Sequence, residues 1–182
     1  MPRHIVLLRG INIVKRNRIA MPALRAALEV AGFGDVKTYV QSGNVVLTSS
    51  ASPDHVASRV HALIKKEFGL EIAVVVRSHD ELAQVVKRNP LGKMAKDPKR
   101  HLVTFLGSSL PAPIKKKLRE VAGPDERFAV RGKEIYSWHP EGVGRSPLWE
   151  RPGGKSLSVT ATSRNWDTVT TLLAMSREPS DR

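Results

Sequence analysis

The sequence contains no cysteine, and this absence excludes several classes of function at once. Disulfide bonds, thiolate catalysis, iron–sulfur clusters and cysteine-based zinc sites all require a residue that the chain lacks. Long apolar runs are also missing. The first apolar run, Ile5 to Leu8, stops at Arg9 and is far shorter than a signal-peptide core or a bilayer span. We therefore expect a cytoplasmic protein that has no membrane partner.

Aromatic residues and metal-ligand motifs are scarce as well. Only 5% of residues are Phe, Trp or Tyr, so no strand carries the interleaved aromatic side chains on which RNA-binding sheets stack bases. The histidines show no H-E-x-x-H or similar spacing. Gly153 to Ser156 does not complete a P-loop, because Trp149 occupies the position of the earlier glycine. We expect neither a metal nor a cofactor, and no motif decides whether the chain is an enzyme.

Positive charge, in contrast, is abundant. The 30 lysines and arginines against 17 aspartates and glutamates give a net charge of +13. Such an excess attracts phosphorylated metabolites, polyanions and acidic surfaces through a field that salt screens. Basic faces are also commonly just solvated, so charge alone does not identify a partner.

Hydrophobic periodicity in the first half predicts strands and helices in the order βαββαβ, followed by a helix. Ser42-Gly43 separates two β-rich runs as a tight hairpin, Ser52-Pro53 begins a helix, and Ser78 opens another through a capping-box pattern. The predicted elements are strands at 5–8, 36–41, 44–48 and 72–76, and helices at 21–31, 53–68 and from 78 onward.

The second half repeats this order after a stretch rich in proline, glycine and lysine at 88–100. Its predicted elements are strands at 102–106, 127–130, 134–138 and 158–162, helices at 111–121 and after Asn165, and a short helix at 148–151. A βαββαβ unit forms a four-stranded antiparallel sheet with two helices on one face. The sequence therefore predicts an α+β protein of two tandem ferredoxin-like βαββαβ units, each followed by a helix. Their expected bounds are 1–89 for the first unit, 90–100 for a basic linker, 101–176 for the second unit and 177–182 for a flexible tail.

Three polar signatures interrupt apolar stretches at strand ends, where side chains can face a cleft. They are Arg9-Gly10-Ile11-Asn12, Gln41-Ser42-Gly43-Asn44 and Ser163-Arg164-Asn165-Trp166. The first opens a basic loop that leads to a helix N-terminus, where anions are favoured. With Arg145-Ser146 in a Gly-flanked loop, the candidate ligand-binding residues are Arg9, Gly10, Asn12, Gln41, Ser42, Asn44, Arg145, Ser146, Arg164 and Asn165.

Each candidate also has a structural interpretation. Arg9 and Asn12 can bond backbone groups of neighbouring strands, and Gln41 to Asn44 has the composition of an ordinary hairpin. Asn165 suits a helix cap, and Trp166 falls in register with apolar helix positions. Ser42 lacks the G-x-S-x-G elbow and a partnered histidine, so we do not consider it a nucleophile.

Topology sets an expectation for how the signatures combine. We expect the hairpin of a ferredoxin-like unit to lie at the sheet end opposite the exit of its first strand, which keeps Arg9 and Gln41 apart within one unit. A site that uses all three signatures then requires a groove between the two units, with Arg9 and Arg164 facing it.

The motifs Leu7 to Asn12, Thr38 to Val46 and Ser163 to Val169 together resemble DUF1697, a bacterial family of domains of unknown function. The resemblance spans nearly the whole chain and implies a two-part α+β fold in a cytoplasmic bacterial protein, with no established activity. Family members usually carry Gly-Gly after the Arg-Gly-Ile-Asn element, whereas this chain has Val14-Lys15. The substitution removes backbone freedom from that loop.

The sequence leaves three functional hypotheses open. The first is a protein that binds a small phosphate- or carboxylate-bearing ligand in a groove between the units. The second is a nucleic-acid-binding module whose affinity falls as salt rises. The third is a protein-interaction module in which the polar signatures only secure turns and caps. The second hypothesis uses the basic residues Arg16, Arg18, Lys93, Lys96, Lys99, Arg100, Lys115, Lys116, Lys117 and Arg119.

Overall fold

The computed structural model describes residues 1–146 and 157–177, and within these ranges the chain forms eight strands and five α-helices. In chain order they are β1 Arg3–Leu8, α1 Met21–Val30, β2 Gly34–Tyr39, β3 Asn44–Thr48, α2 Pro53–Phe68, β4 Val74–Ser78, α3 His79–Lys87, β5 His101–Leu106, α4 Ala112–Val121, β6 Arg127–Arg131, β7 Glu134–Trp138, β8 Ala161–Asn165 and α5 Trp166–Met175. A short 3₁₀ turn spans Val143–Arg145. None of the helices in the described ranges is both long and apolar enough to cross a bilayer.

The first sheet has the strand order β2-β3-β1-β4, with every neighbouring pair antiparallel. β1 takes a central position because it is apolar on both faces, and Ile5 to Leu8 are completely buried. Val6 lies opposite Val45 of β3 and Val76 of β4, so the three strands present valines at one level of the sheet. This register fixes which end of β1 meets the β2–β3 hairpin.

Helices α1 and α2 supply the apolar side chains that cover one face of this sheet. Leu24 and Leu28 of α1 and Val60 and Ile64 of α2 are completely buried in one cluster with strand residues. Both helices have a proline in their first turn, Pro22 in α1 and Pro53 in α2, and the hydroxyl of Ser52, the N-cap of α2, accepts a hydrogen bond from the backbone N–H of His55. The apolar spacing therefore decides where these helices pack.

The second sheet repeats the arrangement with the strand order β6-β7-β5-β8, again antiparallel throughout. β5 is the counterpart of β1 and is buried along its whole length. Leu118 of α4 packs with Leu106 and Ile135 in the apolar cluster of this sheet. Both sheets have the ferredoxin-like order, which confirms the predicted fold class.

Two compact units emerge from the distribution of contacts. One contains residues 1–84 together with those from Thr171 onward, and the other contains Val85–Thr170. The segment 90–100, for which the sequence predicts a linker, lies within the second unit. The predicted short helix at 148–151 and most of the predicted tail at 177–182 lie outside the described residues.

Element bounds agree closely with the sequence-based prediction except at the last strand. β3, α2 and β7 match the predicted ranges residue for residue, whereas β8 covers Ala161–Asn165 instead of 158–162. The alternating pattern of 158–162 was misleading because β8 pairs on one side only, with β5, and its own residues are largely polar. Ser163, Arg164 and Asn165 consequently belong to the strand itself and do not follow it.

Candidate functional site

The β1–α1 connection, residues 9–20, is held in place by the side chain of Asn12. Its Nδ2 donates to the carbonyl oxygens of Ile19 at 2.9 Å and Gln41 at 2.8 Å, and its Oδ1 accepts from the Ile19 N–H at 2.9 Å. These bonds use most of the capacity of one amide. Asn12 therefore positions the loop and the hairpin, and its amide is already engaged within the protein.

The bond from Asn12 to Gln41 shows that the expectation of two separate ends was wrong. β1 and β3 are adjacent and antiparallel, with Leu7 opposite Asn44, so the end of β1 meets the start of β3 and the hairpin before it. The Leu8 N–H donates to the Gly43 carbonyl at 2.9 Å at this junction. The first two signatures thus lie together in the first unit. We name residues 9–20 and 40–43 the loop cluster.

The hairpin side of the loop cluster is fixed from within the sheet. Asn44 is completely buried, and its Nδ2 donates to the Tyr39 carbonyl at 3.1 Å and to the Ser42 Oγ at 3.0 Å. Gly43 adopts a φ of +81°, and a Cβ there would lie 2.7 Å from the Cβ of Leu8. Asn44 and Gly43 therefore have structural roles, while the Gln41 and Ser42 side chains remain at the surface.

The backbone of the loop cluster is strained at two valines. Val14 has a φ of 53° and Val40 a φ of 49°, a left-handed conformation that β-branched residues rarely adopt. Their side chains are 87% and 53% exposed, so burial does not compensate for the strain. Such positions each cost on the order of 1–3 kcal/mol and tend to occur at functional sites. The expected Gly-Gly position thus keeps its left-handed conformation although valine occupies it.

Uncompensated positive charge is the main chemical property of the loop cluster. Arg9, Lys15, Arg16 and Arg18 lie in it, and no acidic residue precedes Glu29 in the chain. None of these four side chains has a hydrogen bond or an ion pair within the described part of the chain. Helix α1, which follows the loop, has Ala20 at its N-cap, no side-chain cap and no acidic residue in its first turn. Arg9 is half-buried and the other three are exposed.

Arg164 differs sharply from these loop cations. Its side chain lies on β8 in a residue only 8% exposed, and its Nη1 donates to the Thr162 Oγ1 at 2.7 Å and to the Ser163 carbonyl at 2.8 Å. Burial lowers the pKa of Arg164 to about 10. Asn165 caps α5, since its Oδ1 accepts from the Thr168 N–H at 2.9 Å. The third signature is therefore largely occupied by contacts inside the protein.

Arg145 and Ser146 separate in environment although they are adjacent in sequence. Arg145 is exposed in the 3₁₀ turn, whereas Ser146 is 2% exposed and its Oγ lies 2.7 Å from the Nδ1 of His139. Ser146 therefore belongs to the interior of the second unit. Only Arg145 of this pair presents its side chain to solvent.

The sequence-based search missed a buried polar cluster in the second unit. The His139 Nε2 lies 2.8 Å from the Ser137 Oγ, and its Nδ1 lies 2.7 Å from the Ser146 Oγ and 3.4 Å from the Glu126 Oε1. All four residues are at most 8% exposed. We name Glu126, Ser137, His139 and Ser146 the histidine cluster. Ser137 within the predicted strand 134–138 and His139 just after it are alternate residues that the sequence shows, but no sequence spacing indicates Glu126 or Ser146.

Charge in the histidine cluster follows from burial and hydrogen bonding. Burial lowers the pKa of His139 despite the opposing effect of Glu126. Burial raises the pKa of Glu126, but hydrogen bonds from Ser146, from the Gly123 N–H and from His139 outweigh it and lower that pKa overall. A neutral imidazole beside a carboxylate is the consequence. The cluster combines a serine, a histidine and an acid. Because Ser137 is only 5% exposed, these residues form an internal hydrogen-bond network.

His101 is a second buried imidazole, at the start of β5. It is completely buried, and its ring is stacked on Trp166 with 4.6 Å between centroids and 11° between planes. Neither ring nitrogen has a hydrogen-bond partner among the residues that the structure describes. Burial, with a smaller contribution from His139, lowers the pKa of His101 to about 4. Trp166, which the sequence places in register with apolar helix positions, is only partly buried and packs against this neutral ring.

No group of histidines and acids within the described residues is arranged to hold a metal ion. The tight network around His139 leaves its two nitrogens engaged with serines and a glutamate. The loop cluster, in contrast, carries cations without a partner among the described residues, and such groups are able to contact an anion.

Comparison with known proteins places this geometry in a family. The structure of a conserved bacterial protein, SP0830 from Streptococcus pneumoniae, aligns over 97% of this chain and 99% of that chain, with a TM-score of 0.79 and 20% identity. At this identity the likeness concerns the fold alone. No curated protein matches the chain. The family described as protein of unknown function (DUF1697) matches residues 1–136, which include the loop cluster, and the chain belongs to that family.

Proposed function

We propose that the protein binds an anionic ligand bearing phosphate or carboxylate groups at the loop cluster of the first unit. The observation that carries the proposal is that the Arg9 side chain has no partner among the described residues and lies in a loop without any acidic residue, which the Asn12–Gln41 contact holds against the hairpin. Guanidinium groups bind both anion types through paired N–H donors. The unused cations Lys15, Arg16 and Arg18 increase the attraction.

Rigidity supports this proposal. A flexible basic loop loses conformational entropy when it closes on a ligand, whereas a loop already fixed has less to lose. The three hydrogen bonds of the Asn12 side chain fix the loop against Ile19 and the hairpin. The strained φ angles of Val14 and Val40 are maintained in the same place. The backbone is therefore arranged before any ligand arrives.

A second candidate, nucleic-acid binding, is favoured by the exposure of Lys15, Arg16 and Arg18. Three exposed cations on one protruding loop suit a phosphate backbone, since contacts to phosphates require little shape complementarity. This binding depends steeply on salt because each phosphate contact releases counterions. The basic residues of 93–100 and of α4 belong to the second unit and extend this candidate beyond the loop cluster.

The deciding experiment titrates the protein with inorganic pyrophosphate by calorimetry and with a fluorescein-labelled oligonucleotide by anisotropy. Both titrations are made at about 50 mM and about 200 mM salt, a range over which nucleic-acid affinity falls by orders of magnitude. Arg9→Ala tests the loop cluster, and Lys116→Ala, an exposed lysine of α4, is the control for loss of one charge.

The proposal expects pyrophosphate binding that Arg9→Ala weakens about tenfold or more and Lys116→Ala leaves unchanged. Oligonucleotide binding that disappears at the higher salt, without pyrophosphate binding, supports the second candidate. Absence of both signals in a folded protein rejects anion binding and favours the protein-interaction hypothesis.

A further inference from the structure

Exposed apolar side chains collect at the loop cluster. Among the described residues six large apolar side chains are exposed, and three of them, Ile13, Val14 and Val40, belong to this region. The bond between Asn12 and Gln41 holds together the two segments that carry them. Exposed apolar residues that stand singly need no explanation, whereas a group of them marks a contact surface. The proposed function draws on the cations and the fixed backbone of this region, and it gives these apolar side chains no role.

The tip of the β1–α1 connection is a small hairpin that presents two of these side chains. The Arg16 N–H donates to the Ile13 carbonyl at 3.0 Å, and the two residues form an antiparallel bridge. Val14 and Lys15 are therefore the two turn residues. Tight turns of this length favour asparagine and glycine, which adopt positive φ more freely than valine. An exposed valine thus occupies a position where a polar residue would fold with less strain.

Cations lie directly beside these aliphatic side chains. Lys15 and Arg16 belong to the hairpin, Arg18 follows it, and all three are exposed. No acidic residue precedes Glu29 in the chain, so the charge around the tip has one sign. Long basic side chains lay their aliphatic stems along an apolar surface while their charges stay in water. The surface therefore combines an apolar tip with a basic rim.

We propose that the loop cluster docks on the surface of a membrane that contains anionic phospholipids. The proposal deepens the function assigned to the loop cluster and rests on it, because the phosphate groups bound are here those of lipid headgroups. Aliphatic side chains enter the boundary between headgroups and acyl chains, and basic side chains pair with the negative headgroups. The expectation of no membrane partner follows from the lack of a spanning segment, and a contact at the surface needs none.

The apolar tip favours a membrane over other negatively charged partners. A nucleic-acid backbone would pair with the cations but leave Ile13 and Val14 without a contact. The loop cluster also contains no aromatic side chain on which a base could stack. Protein interfaces are enriched in aromatic residues and depleted of lysine, whereas this tip has Lys15 and no aromatic residue. Basic residues around aliphatic ones are typical of segments that lie in a membrane interface.

Neither the apolar tip nor the basic rim is sufficient alone. The side chains of Ile13, Val14 and Val40 together contain fewer carbon atoms than one myristoyl chain, which by itself gives only marginal and reversible membrane binding. Each basic side chain near an anionic surface strengthens binding about fivefold, and salt screens this contribution. We therefore expect binding that requires anionic lipid and weakens as salt rises.

The test is co-sedimentation of the full chain with vesicles of phosphatidylcholine alone and with vesicles that also contain about 30% phosphatidylglycerol. Val14→Asn removes an aliphatic side chain without changing the charge, and asparagine tolerates the positive φ of this position. Val30→Asn is the matched control, because Val30 is 90% exposed on α1 outside the loop cluster. Thermal unfolding shows that each variant is folded.

A second pair of variants tests the basic rim. Arg16→Gln removes one of its charges, and Lys116→Gln removes an exposed charge of α4 as the control. We expect sedimentation with the anionic vesicles and little with phosphatidylcholine alone. Val14→Asn should lower the partition coefficient about three- to tenfold and Arg16→Gln about fivefold, while both controls leave it nearly unchanged.

The proposal is wrong if neutral and anionic vesicles sediment the protein equally, or if Val14→Asn and Val30→Asn have the same partition coefficient. Titration with inorganic pyrophosphate separates this result from the proposed function, since Val14→Asn retains every cation and should bind pyrophosphate normally. Pyrophosphate binding by a protein that no vesicle sediments supports the anion site, overturns membrane docking and leaves the tip to an acidic protein. Absence of both signals overturns both proposals.

Discussion

The two units have the same strand order but use the connection after their first strand in opposite ways. In the first unit this connection, residues 9–20, contains four cations and remains largely exposed. In the second unit residues 107–111 replace it, without any charged residue, and Leu110 is buried. The Gly107 N–H donates to the Thr160 carbonyl at 2.8 Å, which ties this short connection to the sheet. The strand order that the two units share therefore does not by itself produce a basic loop like the loop cluster.

Polar residues in the interior differ in a complementary way. The sheet face covered by α1 and α2 in the first unit is packed with apolar side chains. The second unit instead buries the histidine cluster, with a carboxylate, an imidazole and two hydroxyls bonded to one another. The loop cluster of the first unit thus presents most of its cations to solvent, whereas the histidine cluster of the second unit binds its polar groups to one another. We infer that ligand contacts belong to the first unit and that the cluster of the second unit serves stability.

The largest expected effect comes from breaking the histidine cluster. His139→Ala removes the imidazole that contacts Ser137, Ser146 and the buried Glu126 carboxylate, and it opens a cavity. We expect the free energy of unfolding to fall by about 2–4 kcal/mol, because unpaired buried polar groups are costly. Urea unfolding measures it, with the exposed His55→Ala as the control, expected to change stability by less than about 0.5 kcal/mol. Equal effects of the two variants would contradict an internal role for the cluster.

The second prediction concerns the pH dependence of stability in the second unit. Burial lowers the pKa of His101 to about 4 from an ordinary value near 6.5, and it lowers the pKa of His139 as well. Between these limits the unfolded chain binds more protons than the folded chain, so stability rises with pH through this window and is lost as pH falls through it. For His101 alone the change over this window is about 3 kcal/mol.

His101→Phe is the variant that isolates this effect. The phenyl ring can keep the stack on Trp166 but carries no titrating group, so unfolding free energy measured between about pH 4 and pH 6.5 should depend less on pH. The pH dependence of the unfolding free energy that remains in this variant includes the contribution of His139. Below about pH 4.5 the unfolding free energy also falls because Glu126, whose pKa is lowered in the folded protein, becomes protonated. An unchanged slope in His101→Phe would show that His101 titrates normally.

Much of this fold is predictable from the sequence because its elements have strong local signals. Pro53 to Phe68 has a capping serine, a first-turn proline and a terminal glycine, and α2 occupies that range with Gly69 at a φ of 66°. Asn44 to Thr48 is bounded by a glycine turn, and β3 matches it. The residues of β8 are largely polar, and this strand pairs only with β5. The alternating pattern at 158–162 therefore predicted the wrong bounds for the strand.

The candidate site is less predictable because it depends on pairing between distant segments. That Asn12 contacts Gln41 follows from which end of β1 meets β3, and reasoning from the topology placed that end wrongly. The partly buried Arg9 and the buried Arg164 look equivalent in sequence, and only burial separates them. The contact between His79 of α3 and Ser176 likewise joins residues 97 positions apart and leaves no local pattern.

A third prediction tests whether Asn12 positions the loop cluster. Asn12→Ala removes its three side-chain hydrogen bonds, and we expect a loss of about 1–2 kcal/mol in unfolding free energy. Asn17→Ala, which removes one bond to the Gly10 carbonyl, is the matched control with a smaller expected loss. Pyrophosphate affinity should fall more in Asn12→Ala than in Asn17→Ala. Equal losses in both measurements would mean that Asn12 has no special role in arranging the site.

The smallest expected effect distinguishes strain from ordinary exposure. Val14→Gly replaces a β-branched residue at positive φ by one that adopts this conformation freely, but glycine also gains entropy in the unfolded chain. We expect a net gain of up to about 1 kcal/mol, measured as a small rise in Tm. Val30→Gly is the matched control, since Val30 is 90% exposed and lies in the last turn of α1. In Val30→Gly the glycine should lower the free energy of unfolding by about 0.5 kcal/mol. We therefore expect Val14→Gly and Val30→Gly to change stability in opposite directions. Because Val14 contacts so little, a stability loss in Val14→Gly comparable to that in Val30→Gly would show that the left-handed conformation is not maintained in solution.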